Sequence, residues 1–263
     1  MNALVLKASP RDDGNTATLA ERFTAGLRDV GHEQVVEFLL NELEIRPCQA
    51  CNRCLRPPFA GCVLDDDFQS VFPAFRDADL VVFAAPVYWW HVCAQMKTFI
   101  DRMHPMLALG RDHALPTKEL VLLTAYVAQD PYGIELMEKT FASIAGWAGM
   151  GFHLASFHAA RGHVRDDAAK LSEVFELGRS FADWQRPTLS VPCPVDGCGF
   201  RLRSAAAAAL HLVMAADDGH LAWKEAHLSA RHTLDNTEAL VAEARRLIEP
   251  GGGEPKADTG APS

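Results

Sequence analysis

Apolar and polar positions alternate in period along the chain up to about residue 185. Asn2–Ala8 is a short apolar run that predicts a first strand, and Thr16–Leu27 follows with Leu19, Ala20, Phe23 and Leu27 on one helical stripe. Gln34–Leu40 reads as a second strand. Leu80–Ala85 and Leu120–Ala125 are unbroken apolar runs, the pattern of parallel strands buried on both faces, and Asp79 and Pro86 bound the first of them. Helices are predicted at Ala94–Met103, Ile134–Ala145 and Asp166–Phe181, with a last strand at Gly151–Ala159. Five strands joined by helical crossovers predict an α/β doubly wound parallel sheet, an architecture that binds ligands at the carboxyl ends of its strands.

The periodicity breaks at Gln185–Pro194, where Pro187, Pro192 and Pro194 interrupt it. The expected organisation is therefore a body over 1–185, a compact Cys/His segment over 186–232, a helix over 233–249 and a tail over 250–263. That tail has nothing apolar to bury and is expected to be disordered. A hydrophobic fraction of 49% in 263 residues is ample for a buried core. The net charge of -9 argues against affinity for nucleic acid or anionic membranes, so small molecules and proteins are the expected partners. No stretch approaches the roughly twenty apolar residues of a membrane span. Met1–Lys7 is too short and uncharged for a secretory signal, which makes a cytoplasmic location the expectation. Cysteines there stay reduced, so clustered ones point to ligation or catalysis.

Four of the seven cysteines fall between residues 48 and 62, as Cys48, Cys51, Cys54 and Cys62 in C-x2-C-x2-C-x7-C. Two-residue spacers let successive thiolates converge on one inorganic body. Three readings stand: an iron-sulfur cluster, free thiols or a regulatory disulfide, and zinc. Asp65–Asp67 either favour the start of a following helix or belong to the site. Cys93, outside the motif, reads as a small buried hydrophobe. Downstream, Cys193, Cys198 and His211 form C-x4-C-x12-H, the first three ligands of a C2H2 zinc site. His220 is the natural fourth at an atypical H-x8-H spacing, with His227 and His232 as substitutes. The alanines around His211 offer no hydrogen bonds to base edges, so the segment reads as structural. His153, His158 and His163 read as separate surface or site-rim residues.

After the first strand, Ala8–Thr16 runs A-S-P-R-D-D-G-N-T into a helix. Ser9, Asn15 and Thr16 offer side-chain hydrogen bonds, Gly14 a tight turn and Arg11 a charge, while backbone N–H groups at the helix start make a nest for phosphate. The alternative is a plain helix cap by Asn15 or Thr16. No G-x-G-x-x-G is present. The third strand ends in A-P-V-Y-W-W, and three adjacent aromatics, Tyr88, Trp89 and Trp90, cannot all face the core.

Together, S-P-R-x-x-G-N-T and A-P-V-Y-W-W-H-V-C-A-Q-M-K resemble the NAD(P)H-dependent FMN reductase and iron-sulfur flavoprotein group of the flavodoxin-like superfamily, over about residues 1–184. The resemblance implies a five-stranded sheet of order 2-1-3-4-5, to which the Cys/His segment adds a small zinc-finger-like appendage. It also implies FMN, its phosphate in the Ser9–Thr16 loop and its ring against Pro86, Val87, Tyr88, Trp89 and Trp90, with a third contact at Thr124, Ala125 and Tyr126. In iron-sulfur flavoproteins a comparable cysteine motif ligates a 4Fe-4S cluster. The expected activity is oxidation of NAD(P)H with reduction of a quinone, free flavin or other small acceptor, with no protein general acid or base. An electron carrier serving ferredoxin-like partners is the alternative, and a redox-sensing regulator the third reading. Family resemblance further implies a homodimer or homotetramer.

Overall fold

The computed structural model describes residues 1–56, 61–106, 118–127, 132–148, 150–186, 191–198, 200–202, 205–215, 217–233 and 236–248. They form two compact units, one from the described residues of 1–145 and 150–187, the other from those of 146–149 and 188–263. The expected tail at 250–263 lies outside the described residues.

The larger unit is built on strands β1 (Ala3–Lys7), β2 (Val35–Leu39), β3 (Leu80–Tyr88), β5 (Glu119–Tyr126) and β6 (Gly151–His158). They pair in parallel in the order β2-β1-β3-β5-β6, and a short strand β4 (His91–Val92) folds back antiparallel on the end of β3. Apart from β4, this is the 2-1-3-4-5 order the resemblance implies. β1, β3 and β5 are buried almost throughout, as strands covered on both faces must be.

Side chains alternate across the sheet. Val5, Val82, Ala84, Val121 and Leu123 face one layer, where helix α1 (Asn15–Asp29) supplies Leu19, Phe23 and Leu27 and helix α5 (Ala168–Arg179) supplies Val174. These helices touch backbone to backbone: a Cβ added at Gly26 would lie 2.2 Å from the Phe175 carbonyl oxygen, and one at Gly178 would lie 2.3 Å from that of Phe23. Helix α5 starts two residues after the predicted Asp166 because the Asp167 carboxylate caps it, accepting from the Lys170 N–H at 2.9 Å.

On the opposite face Phe83 meets an aromatic layer. Phe75 of α2 (Phe68–Asp77), Phe99 of α3 (Ala94–Arg102) and Phe141 of α4 (Tyr132–Ala148) all lie within 6.5 Å of its ring. Every connection from β1, β3 and β5 thus leaves from one sheet edge, and the first loop and the ends of β3 and β5 meet there.

In the smaller unit, β7 (Val191–Pro192) pairs antiparallel with β8 (Arg201–Leu202), followed by helices α6 (Ala205–Met214), α7 (Asp218–His227) and α8 (Thr237–Ile248). Ala209 and Val213 of α6 pack with Leu240 and Ala244 of α8 as a small apolar core. No helix among the described residues is long and apolar enough to cross a membrane.

Candidate functional site

A cleft opens at the carboxyl edge of the sheet, lined by Ser9, Arg11, Gly14, Asn15 and Thr16 from the first loop and by Pro86, Val87, Tyr88 and Ala125 from the ends of β3 and β5. Helix α1 begins there with no side-chain cap, so its first N–H groups point into the cleft with the positive end of the helix dipole. The plain-cap alternative is therefore not what the loop does. Ser9 Oγ accepts from the Arg11 N–H at 3.1 Å and shapes the loop. Gly14 is extended (φ -70, ψ 167), a conformation open to any residue; what glycine supplies is space, since a Cβ would sit 3.3 Å from the Arg11 carbonyl oxygen.

Several predicted residues do other work. The Asn15 side chain accepts from the Val164 N–H at 2.8 Å, tying the first loop to the loop after β6. Thr124 is wholly buried and its hydroxyl donates to the Ala85 carbonyl at 2.8 Å, inside the sheet. The Tyr126 ring stacks on His158 at 5.0 Å. Trp89 and Trp90 occupy the two-residue turn between β3 and β4 with φ of 47 and 62, and neither lines the cleft. Such a turn favours Asn-Gly, because side chains at positive φ cost on the order of 1–3 kcal/mol each. Trp89 is 88% exposed.

Sequence reading missed Asp13, Val127, Ala159 and Arg165, and left His163 as a rim residue; all five line the cleft. His163 Nε2 donates to the Asp13 carbonyl at 2.9 Å, and Arg165 donates to the same oxygen at 2.7 Å. The Arg165 Nε also donates to His163 Nδ1 at 3.0 Å. Two guanidinium groups, Arg11 and Arg165, therefore flank an uncapped helix start, which suits a bound phosphate dianion. The R-G-H-V-R run after β6 carried this signal, since it too lies at the carboxyl end of a strand. Of the other two histidines, His158 sits 3.1 Å from the carbonyl oxygen of Val127 at the cleft, and His153 is 3.1 Å from Glu119 at the opposite edge.

Cys48, Cys51, Cys54 and Cys62 line a second, apolar pocket with Val63, Leu64, Arg102, His104 and Pro105. The chain turns into it through Ala50 and Asn52, at φ 50 and 54. Cys54 is buried and Cys48 and Cys51 exposed. Burial first, then the neighbouring Cys62, Cys51 and Cys48 sulfurs, push the Cys54 thiol up. Among the described residues, the group of ligand atoms close enough for one ion lies in the other unit. The acidic run fastens the loop: Asp66 accepts from Arg46 N–H at 3.1 Å and Phe68 N–H at 3.2 Å, and Asp67 from Glu44 N–H at 2.7 Å. Cys93 is buried as expected, its thiol 3.2 Å from the Ala8 carbonyl oxygen.

In the smaller unit the ligand atoms of Cys193, Cys198, His211 and His220 all lie within 4.8 Å of one another. The cysteines flank a turn at the tip of β7, with Cys193 N–H donating to Phe200 O and Cys198 N–H to Val195 O. His211 is carried by α6, while His220 comes from the first turn of a new helix, which is how an H-x8-H spacing reaches one point. Asp217 caps that helix, and its carboxylate accepts from His220 Nδ1 at 2.7 Å, leaving Nε2 for a metal. A hydrogen bond from Cys193 holds the Cys198 thiol well below its ordinary range. The substitutes are elsewhere: His227 bonds the Trp223 carbonyl and His232 the Thr237 hydroxyl.

The model of the NADPH-dependent FMN reductase family matches residues 1–163. An iron-sulfur flavoprotein of Methanosarcina thermophila is 32% identical over 142 residues, 54% of this chain and 70% of that protein. One from Archaeoglobus fulgidus is 36% identical over 105 residues, 40% of this chain and only 46% of that protein, so less than half of it is spanned. Among solved structures, the NAD(P)H:quinone oxidoreductase from Methanothermobacter marburgensis superposes with a TM-score of 0.57 at 18% identity, covering 72% of this chain and 99% of that one, a likeness of fold. With the family model covering more than half of its length, the chain belongs to the NADPH-dependent FMN reductase family.

Proposed function

We propose that this protein is an FMN-dependent NAD(P)H oxidoreductase that reduces a quinone, a free flavin or another small acceptor. A 4Fe-4S cluster on Cys48, Cys51, Cys54 and Cys62 and a structural zinc on Cys193, Cys198, His211 and His220 complete the reading. The observation that carries it is the uncapped start of α1 between Arg11 and Arg165 at the sheet's carboxyl edge. FMN, when bound, supplies the chemistry of taking hydride from NAD(P)H and passing electrons on. Arg11, Arg165 and the first N–H groups of α1 hold its phosphate. Pro86, Val87, Tyr88 and Ala125 give the ring an apolar seat, and no side chain is assigned a proton.

Purification under argon followed by NADPH or NADH tests this. A yellow protein that bleaches with either supports it; one that bleaches with neither overturns it. Iron, sulfide and zinc analysis of the same sample tests the two metal groups.

A second reading, an electron carrier for ferredoxin-like partners, is favoured by the exposure of Cys48 and Cys51, which brings the pocket to the surface. Reduction by ferredoxin without nicotinamide turnover would select it. A DNA-binding regulator is disfavoured by the net charge of -9. Cytoplasmic location and a homodimer or homotetramer belong to the proposal, the latter supported by Trp89, Trp90 and Val127, large apolar side chains left exposed beside the cleft.

A further inference from the structure

The wall of the cysteine pocket contains a guanidinium that the fold alone does not account for. Arg102 closes helix α3 and its side chain is 0% exposed. Nη1 donates to Asp66 Oδ2 and to the Arg46 carbonyl, both at 2.7 Å, and Nη2 donates to Asp66 Oδ1 at 3.0 Å. The Phe68 ring packs 4.5 Å from its central carbon. Asp66 thus balances the charge, yet the buried Nε–H has no acceptor among the described residues. A buried donor without a partner is disfavoured, and such groups are rare in folded proteins.

Arg102 lines the same pocket as the four cysteines. Burial opposes its charge, and Asp66 followed by Cys62, through charge and side-chain hydrogen bonding, outweighs that opposition, so the Cys62 sulfur lies beside the guanidinium while Nε itself has no acceptor. A thiol is a weak acceptor. A thiolate is a strong one. Cys62 is also the ligand separated by seven residues from the C-x2-C-x2-C triplet, so it is the one whose sulfur the short spacers leave unfixed.

We propose that Arg102 is a positioning residue for the cluster: its Nε–H donates to the Cys62 thiolate when that sulfur is a cluster ligand, fixing the fourth ligand and raising the reduction potential. Asp66 holds the guanidinium in place for this. A positive group and an N–H donor at a ligand sulfur both favour the more negative, reduced form. The inference rests on the cluster reading.

The test uses full-length protein purified without oxygen, comparing wild type with R102K and R102Q. Iron per chain is measured first, then the cluster midpoint potential by EPR-monitored titration. The expected result is iron in all three, with the potential shifted to more negative values in R102Q and by a smaller amount in R102K. Absence of iron from wild type overturns both the cluster reading and this inference. Iron with an unshifted potential overturns this inference and leaves the cluster reading standing. Should the variants lose iron or fail to fold, the Arg102 contact is read in protein that keeps Arg102, by pulsed EPR of the reduced cluster after 15N-arginine labelling in an R53K/R56K background. A 15N coupling is expected, and its absence overturns the inference.

Discussion

Replacing Arg165 with alanine is expected to weaken FMN binding about tenfold while leaving riboflavin binding unchanged. The side chain is 51% exposed and reaches the cleft from the loop after β6. A hydrogen bond to a charged group contributes about 1.5–3 kcal/mol, and half exposure places Arg165 at or slightly below the lower end. About 1.4 kcal/mol is tenfold in Kd. The loop itself should survive, because His163 still donates to the Asp13 carbonyl at 2.9 Å and Val164 still donates to Asn15 at 2.8 Å. Fluorescence-quenching titrations of the cofactor-free protein with FMN and with riboflavin, at two salt concentrations, give the four constants required. The FMN loss should shrink as salt screens the phosphate contact. Equal weakening of both ligands, or an unchanged FMN constant, would refute a phosphate role for Arg165.

Other consequences follow from particular contacts. G178A puts a Cβ 2.3 Å from the Phe23 carbonyl oxygen, and since both partners are backbone the helices must move apart; a loss of about 1–3 kcal/mol is expected by thermal melting. The Asp66 carboxyl is pushed up by burial but carried lower overall by the hydrogen bonds from Arg102 and from the Arg46 backbone and by the Arg102 charge. Its stabilisation is therefore present above the unfolded carboxylate pKa, near 3.9, and lost as pH falls through the lower folded value. D66N should flatten that acid limb in a pH series of urea melts, and should cost about 3–5 kcal/mol at neutral pH by leaving Arg102 unpaired. D217N removes the acceptor that orients His220, and competition against a chelator should show zinc affinity lowered about 10–100-fold, with iron content unaffected.

The parts legible in the sequence were those governed by local rules. Unbroken apolar runs marked β3 and β5, because a strand covered on both faces has no polar side to show. The turn from β1 into α1 was legible in the same way, as backbone geometry at a helix start. Three kinds of feature were not. The Trp89–Trp90 turn defied reading because tight hairpins announce themselves through Asn-Gly, and here two bulky side chains take the positive φ values instead. Thr124 and Tyr126 were placed at the flavin by the resemblance, and the partners their side chains take, the Ala85 carbonyl and the His158 ring, follow from alternation and stacking that no motif encodes. Arg165 and Arg102 act on residues more than thirty positions away in sequence, Asp13 and Asp66, and no periodicity encodes such pairs. His220 was found by ligand counting alone; the second helix that delivers it became clear only with the Asp217 cap.

The central claim is that the first loop and the end of β3 together clasp one FMN. Titrating the cofactor-free protein with FMN under anaerobic conditions, then adding NADPH or NADH, measures it most directly. Flavin fluorescence should be quenched to saturation at one FMN per chain, and the visible absorbance should then bleach with one of the two nucleotides. Unquenched fluorescence at every ratio of FMN to protein would contradict the account.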